Sequence, residues 1–131
     1  MTFSPPWLLR NAHVQSVLPS LKIRRPLLMR RARAMLAVSK PVLLDCGEGV
    51  RLLGMHSAQP NAQIAAQGTQ RSELVVLIHG WEGSADSLYV MSLAGYLFDH
   101  GYHVFRLNLR DHGPTHHLNE DIFHSCRIAE V

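Results

Sequence analysis

The sequence predicts an α/β domain in which a β-hairpin opens a sheet and a strand–helix–strand unit continues it. Three observations lead there. Five consecutive aliphatic residues, Leu74-Val75-Val76-Leu77-Ile78, run into a glycine turn, His79-Gly80-Trp81-Glu82-Gly83-Ser84, and an uninterrupted apolar run of that length suits a parallel strand covered on both faces. A helix-length segment to about His100 and a second apolar run, Tyr102 to Leu109, follow. Upstream, Pro41 to Cys46 and Val50 to Met55 flank Gly47-Glu48-Gly49, whose glycines supply the positive φ that a tight hairpin loop needs. Ligands of open α/β sheets bind outside the carboxyl ends of the strands, so chemistry is expected at His79 to Ser84.

At 131 residues, 47% hydrophobic and 18% charged, the chain has the size and composition of one globular domain. Cys46 and Cys126 lie far apart, outside any Cys-x-x-Cys or zinc spacing, so neither a disulfide framework nor a metal is indicated and a reducing compartment follows. No apolar run reaches the roughly 20 residues that span a bilayer, and the amino terminus lacks the basic-then-apolar order of a secretory signal. The expectation is a soluble, cytoplasmic protein with no cofactor. Charge is unevenly spread. Eight of the 13 basic residues and none of the ten acidic ones fall in residues 1–40, which leaves residues 41–131 at −5. The chain therefore divides into a basic arm, 1–40, packing on the core, and a partial α/β domain, 41–131. Such an arm attracts phosphates; weak contact with a membrane surface is the partner it suggests, and no nucleic acid is expected.

Taken in order, Trp7 to Val17 after Pro5 and Pro6 makes a short helix, since proline is tolerated before and within a first turn, and His13 there is a surface or packing residue. Lys22 to Ala37 mixes arginines with Leu27, Leu28, Met29, Met35 and Leu36 too irregularly for a clean helix or strand. It shares an acid-poor, arginine-rich character with transit peptides but lacks their serine-rich pattern. Gln59 to Glu73 is an exposed loop. Ser84 or Asp86 caps the following helix and Gly101 stops it, with Val90, Leu93, Ala94 and Leu97 facing the sheet and Tyr89, Tyr96 and Phe98 opposite. Arg106 falls mid-strand and must reach the rim or an acid. Arg110 to Phe123 is a polar loop beside the His79 turn, and Ser125 to Val131 starts another helix.

Pro6-Trp7-Leu8-Leu9-Arg10-Asn11-Ala12-His13-Val14-Gln15-Ser16, then His79-Gly80-Trp81-Glu82-Gly83-Ser84, then Arg110-Asp111-His112-Gly113, in this order, resemble the α/β-hydrolase superfamily, and within it the YheT-like branch of predicted hydrolases and esterases. The resemblance implies the amino-terminal part of an α/β-hydrolase sheet, incomplete on one side, and hydrolysis of a carboxylic ester, from a small-molecule or lipid-like substrate, in the complete form. It implies that the Trp81 backbone N–H contributes to an oxyanion hole, lined by His79, Gly80, Glu82, Gly83, Ser84, Arg110, Asp111 and His112. It also implies a bare edge beside the Leu74–Ile78 strand, and so oligomerisation or aggregation.

No serine sits in Gly-x-Ser-x-Gly; Ser84 has Glu82 at the required glycine position. In this superfamily nucleophile, acid and base come in that chain order, so all three are absent and the chain alone is expected to be inactive. Asp111 and His112 are adjacent in one loop and cannot point in series at a serine. His112, His116, His117 and His124 match no metal spacing. Two alternatives stand beside the hydrolase: a non-catalytic module whose basic arm meets a membrane or nucleic acid, and a truncated gene product.

Overall fold

The computed structural model describes residues 4–60, 73–124 and 126. Four strands form one mixed sheet in the order β1-β2-β4-β3: β1 (Ser39–Asp45), β2 (Arg51–Ser57), β3 (Leu74–Ile78) and β4 (His103–Asn108). β1 and β2 are the antiparallel hairpin, turned over Gly47 and Gly49 at positive φ. β4 pairs antiparallel with β2 and parallel with β3, and a helix, Leu88–Asp99, joins the two parallel strands. Hairpin and strand–helix–strand unit are thus both present, and the sheet is open at β3. The Gln59 to Glu73 loop and the Ser125 to Val131 helix lie almost wholly outside the described residues.

The basic arm is helical. After a 3-10 turn at Trp7–Arg10, α1 (Ala12–Ser20) starts at Asn11, whose side chain accepts the N–H groups of His13 at 2.9 Å and Val14 at 3.3 Å, the expected N-cap arrangement. Lys22 to Ala37, whose pattern predicts neither helix nor strand, forms a 3-10 turn, then α2 (Arg25–Arg31) and α3 (Arg33–Val38). The apolar spacing is irregular because the helix breaks at Ala32, while arginine, leucine, methionine and alanine all favour helix. Leu28, Ala32 and Met35 are buried, at the i, i+4, i+7 spacing of one helix face.

They pack on the helix between β3 and β4, α4 (Leu88–Asp99). Its buried residues are Val90, Met91, Ala94, Gly95 and Phe98, with Leu97 packed on the core, so the expected stripe is met at Val90, Ala94 and Leu97 but not at Leu93, which is half-exposed, and Phe98 turns inward. The helix is rotated because it serves two neighbours. A Cβ on Gly95 would come 3.2 Å from the Ala32 Cα, so the arm reaches α4 at small residues, while Met91, Ala94 and Phe98 join Met35 and Val104 in the core. Tyr89 and Tyr96 are exposed, as their outward placement required.

Alternation along β3 corrects the expectation of a strand covered on both faces. Val75 and Leu77 are partly buried, whereas Leu74, Val76 and Ile78 are about half-exposed. The two edges of the sheet differ in kind. β1 carries Lys40 and Pro41, which blunt an edge against further pairing; β3 has neither charge nor proline.

Arg106 on β4 is 1% exposed. Its guanidinium donates to the Ala85 carbonyl at 2.9 Å, to Asp86 at 3.1 Å and to Ser39 Oγ at 3.2 Å, linking the turn before α4 to the start of β1. Burial lowers its pKa from the ordinary arginine value and Asp86 acts the other way. Asp86 is 75% exposed, so the ion pair itself is worth under about 1 kcal/mol; the buried neutral acceptors matter more. Two outcomes follow. Urea denaturation of Arg106→Ala should show a loss of about 3 kcal/mol from stranded acceptors and lost packing, and Asp86→Asn under about 1 kcal/mol; equal small losses would contradict the assignment. The chain should also self-associate with rising concentration through β3, and Val76→Lys should reduce this in sedimentation velocity. A parent chain that stays monomeric at high concentration would argue against it.

Candidate functional site

The segment after β3 is fixed to the carboxyl end of β4. His79 is buried, and its Nε2 accepts the Leu109 N–H at 3.1 Å. That main-chain group can only donate, so Nδ1 carries the proton and donates to the Gly80 carbonyl at 2.8 Å. Both nitrogens are engaged and the ring is neutral. Asn108, also buried, accepts the Ala85 N–H through Oδ1 at 2.8 Å and donates through Nδ2 to the Leu53 carbonyl at 3.3 Å. Together with Arg106 these side chains hold both ends of the turn.

Within the turn, Gly80 N–H donates to Tyr89 Oη at 2.6 Å and Gly83 N–H to the Gly80 carbonyl at 3.0 Å. A Cβ on Gly83 would lie 2.9 Å from both the Gly80 carbonyl and Tyr89 Oη, which explains the glycine by close approach. Ser84 N–H donates to Ser87 Oγ at 2.9 Å, and Ser84 Oγ accepts the Asp86 N–H at 3.2 Å. The helix itself begins only at Leu88, with no side-chain cap from Ser87, so Ser84 and Asp86 order the turn and do not cap the helix. The Trp81 and Glu82 N–H groups take part in no hydrogen bond among the described residues. Trp81 is 77% exposed, and Glu82 holds a φ of 53°, a left-handed conformation costly for a residue with a Cβ.

The loop after β4 comes up beside this turn. The His112 ring centroid lies 4.7 Å from that of His79 and 5.0 Å from that of Phe123, and Phe123 lies 6.3 Å from Trp81. His112 is positioned by its Nδ1 contact with the Arg110 carbonyl at 2.8 Å and by mutual hydrogen bonds with Thr115, which is buried. Asp111, like Glu82, has a positive φ, 58°. Its carboxylate pairs with His116, away from His112.

Of the residues expected to line the site, His79 to Ser84 and His112 share one region. Arg110 does not: its buried side chain sits 3.6 Å from Asp121 and lines a separate cleft of about 890 Å³ under the β1–β2 turn, with Cys46, Arg51 and Leu118 among its walls. Asn108, Tyr89 and Phe123 were missed. A polar residue closing an apolar strand was the available signal for Asn108; Tyr89 and Phe123 gave none beyond being aromatic. Among the described residues, no three metal-ligating side chains converge. Comparison with protein-family models, curated proteins and solved structures finds no match to this chain.

Burial holds the His79 pKa below its ordinary value, with the Gly80 carbonyl raising it and His112 lowering it further. The unfolded chain takes up this proton near pH 6.5, the folded chain only at lower pH. Stability from His79 is therefore full above about pH 6.5 and falls as the pH drops from there toward the folded value. Thermal melts between about pH 8 and about pH 5 should show a shallower loss in His79→Gln than in the parent; parallel slopes would exclude His79 as the titrating group.

Proposed function

We propose that the turn after β3 is the oxyanion-binding half of an acyl-transfer site, and that the chain is the amino-terminal portion of a serine α/β-hydrolase acting on carboxylic esters. The observation that supports this most is the Trp81 N–H. It stands open at the carboxyl end of a parallel strand, while the neighbouring Gly80 and Gly83 N–H groups are already bonded. A main-chain donor held by its surroundings stabilises developing negative charge without reorganising, worth about 3 kcal/mol for one donor. His79 in this proposal is a positioning residue: both of its nitrogens hold the turn, so it neither attacks nor transfers a proton. His112 and Phe123 form a wall beside the donor. None of the 131 residues is a serine within Gly-x-Ser-x-Gly, so the chain by itself has a donor and no nucleophile.

Two measurements test this. The isotope-labelled chain titrated with methylphosphonate, a tetrahedral oxyanion, should show a saturable shift of the Trp81 amide. Trp81→Ala, which keeps the N–H, should retain it, and Trp81→Pro, which removes the N–H, should abolish binding. No shift at Trp81, or binding that survives Trp81→Pro, would reject the donor assignment and favour a non-catalytic module. The chain should not turn over p-nitrophenyl acetate; turnover abolished by a serine-directed fluorophosphonate would show that a nucleophile is present after all.

A further inference from the structure

The basic arm presents an unusual pairing of exposed apolar and unpaired cationic side chains. Arg24, Arg25, Arg30, Arg31 and Arg33 form no ion pair among the described residues, and residues 1–40 contain no acid to neutralise them. Between them, Ile23 is 69% and Leu27 51% exposed, and Trp7 is 80% exposed. At about 100° per residue, Leu27 and Arg30 project from sides of α2 (Arg25–Arg31) other than the one that carries the buried Leu28, and Ile23 stands exposed in the 3-10 turn just before the helix, so aliphatic and guanidinium groups share the outward surface of this segment. Fixed by Leu28, Ala32 and Met35 against α4, that surface is ordered, not a loose tail.

We propose that this outward surface of the arm docks on an anionic phospholipid bilayer, with Ile23 and Leu27 entering the headgroup boundary and the arginines meeting lipid phosphates and carboxylates. The charge complements an acidic leaflet. The aliphatic residues decide between polyanions: a bilayer rewards their burial, whereas a nucleic-acid backbone offers them only water and phosphate. No helix among the described residues is long and apolar enough to cross a membrane, which fits docking in the plane of the surface. The proposal is independent of any catalytic role for the turn after β3.

The full chain would be co-sedimented with vesicles of phosphatidylcholine alone and of phosphatidylcholine with phosphatidylserine, over a range of salt. The expected result is about tenfold or greater preference for the anionic vesicles, weakening as salt rises. Arg30→Gln should lower binding about fivefold. The double variant Ile23→Ser, Leu27→Ser should lower it at unchanged charge, whereas Val76→Ser on the sheet should not. All of these residues are exposed, and matching melting temperatures would show the variants folded. Equal binding to neutral vesicles, no binding to either, or loss only in Val76→Ser would overturn the proposal. Equal or tighter binding of a polyuridylate oligonucleotide, indifferent to Ile23→Ser, Leu27→Ser, would assign the arm to nucleic acid instead.

Discussion

Two parallel strands end side by side, and whatever follows the first of them stays in place only if the second holds it. In this chain the carboxyl end of β4 does so. Arg106, Asn108 and the Leu109 N–H make hydrogen bonds to the Ala85 carbonyl, the Ala85 N–H and His79 Nε2. Arg106 and Asn108 are buried, where stranding a polar partner costs far more than the same bond gains at the surface. The geometry of the turn, the orientation of His79 and the start of α4 all depend on this hold. Gly113 shares it: a Cβ there would come within 2.8 Å of Asn108 Oδ1, so the His112 loop is drawn against the same side chain.

The consequence is a division of labour by exposure. Beneath the turn Asn108 and His79 have both ends of their polar groups bonded, the latter a histidine that by residue type alone would attract a catalytic role. Groups above it are open: the Trp81 and Glu82 N–H groups, with His112 and Phe123 at one side. Two residues other than glycine, Glu82 and Asp111, adopt left-handed conformations in the two loops that meet there. Such conformations persist only where the surroundings fix them. The one other non-glycine instance among the described residues, Glu48, lies in the hairpin turn, where turn geometry alone demands it.

The sheet was legible because its signals are local. The Gly47 and Gly49 turn, the aliphatic run before His79 and the run at Tyr102 to Leu109 each announce an element by period and punctuation. The arm was not, because its helices carry only a narrow apolar stripe, Leu28, Ala32 and Met35, interrupted at Ala32, so no helical period stands out although the surrounding arginines favour helix. The rotation of α4 depended on that unseen packing: once the arm covers Gly95, Phe98 turns in and Leu93 turns out. Exposure of Leu74, Val76 and Ile78 was invisible for a related reason, since an all-aliphatic strand looks the same whether one face or both are covered. At the site, the turn and its proximity to His112 followed from topology. That Arg110 and Asp111 point elsewhere did not, because their partners Asp121 and His116 are loop residues with no periodic signature.

The claim that a rigid, bonded turn presents an open main-chain donor is tested most directly by amide hydrogen exchange resolved residue by residue. Strong protection is expected at Ala85, Gly83 and Leu109, whose N–H groups are bonded to Asn108, Gly80 and His79, with Trp81 and Glu82 exchanging rapidly. Uniformly fast exchange from Gly80 to Ala85, or protection at Trp81, would contradict it.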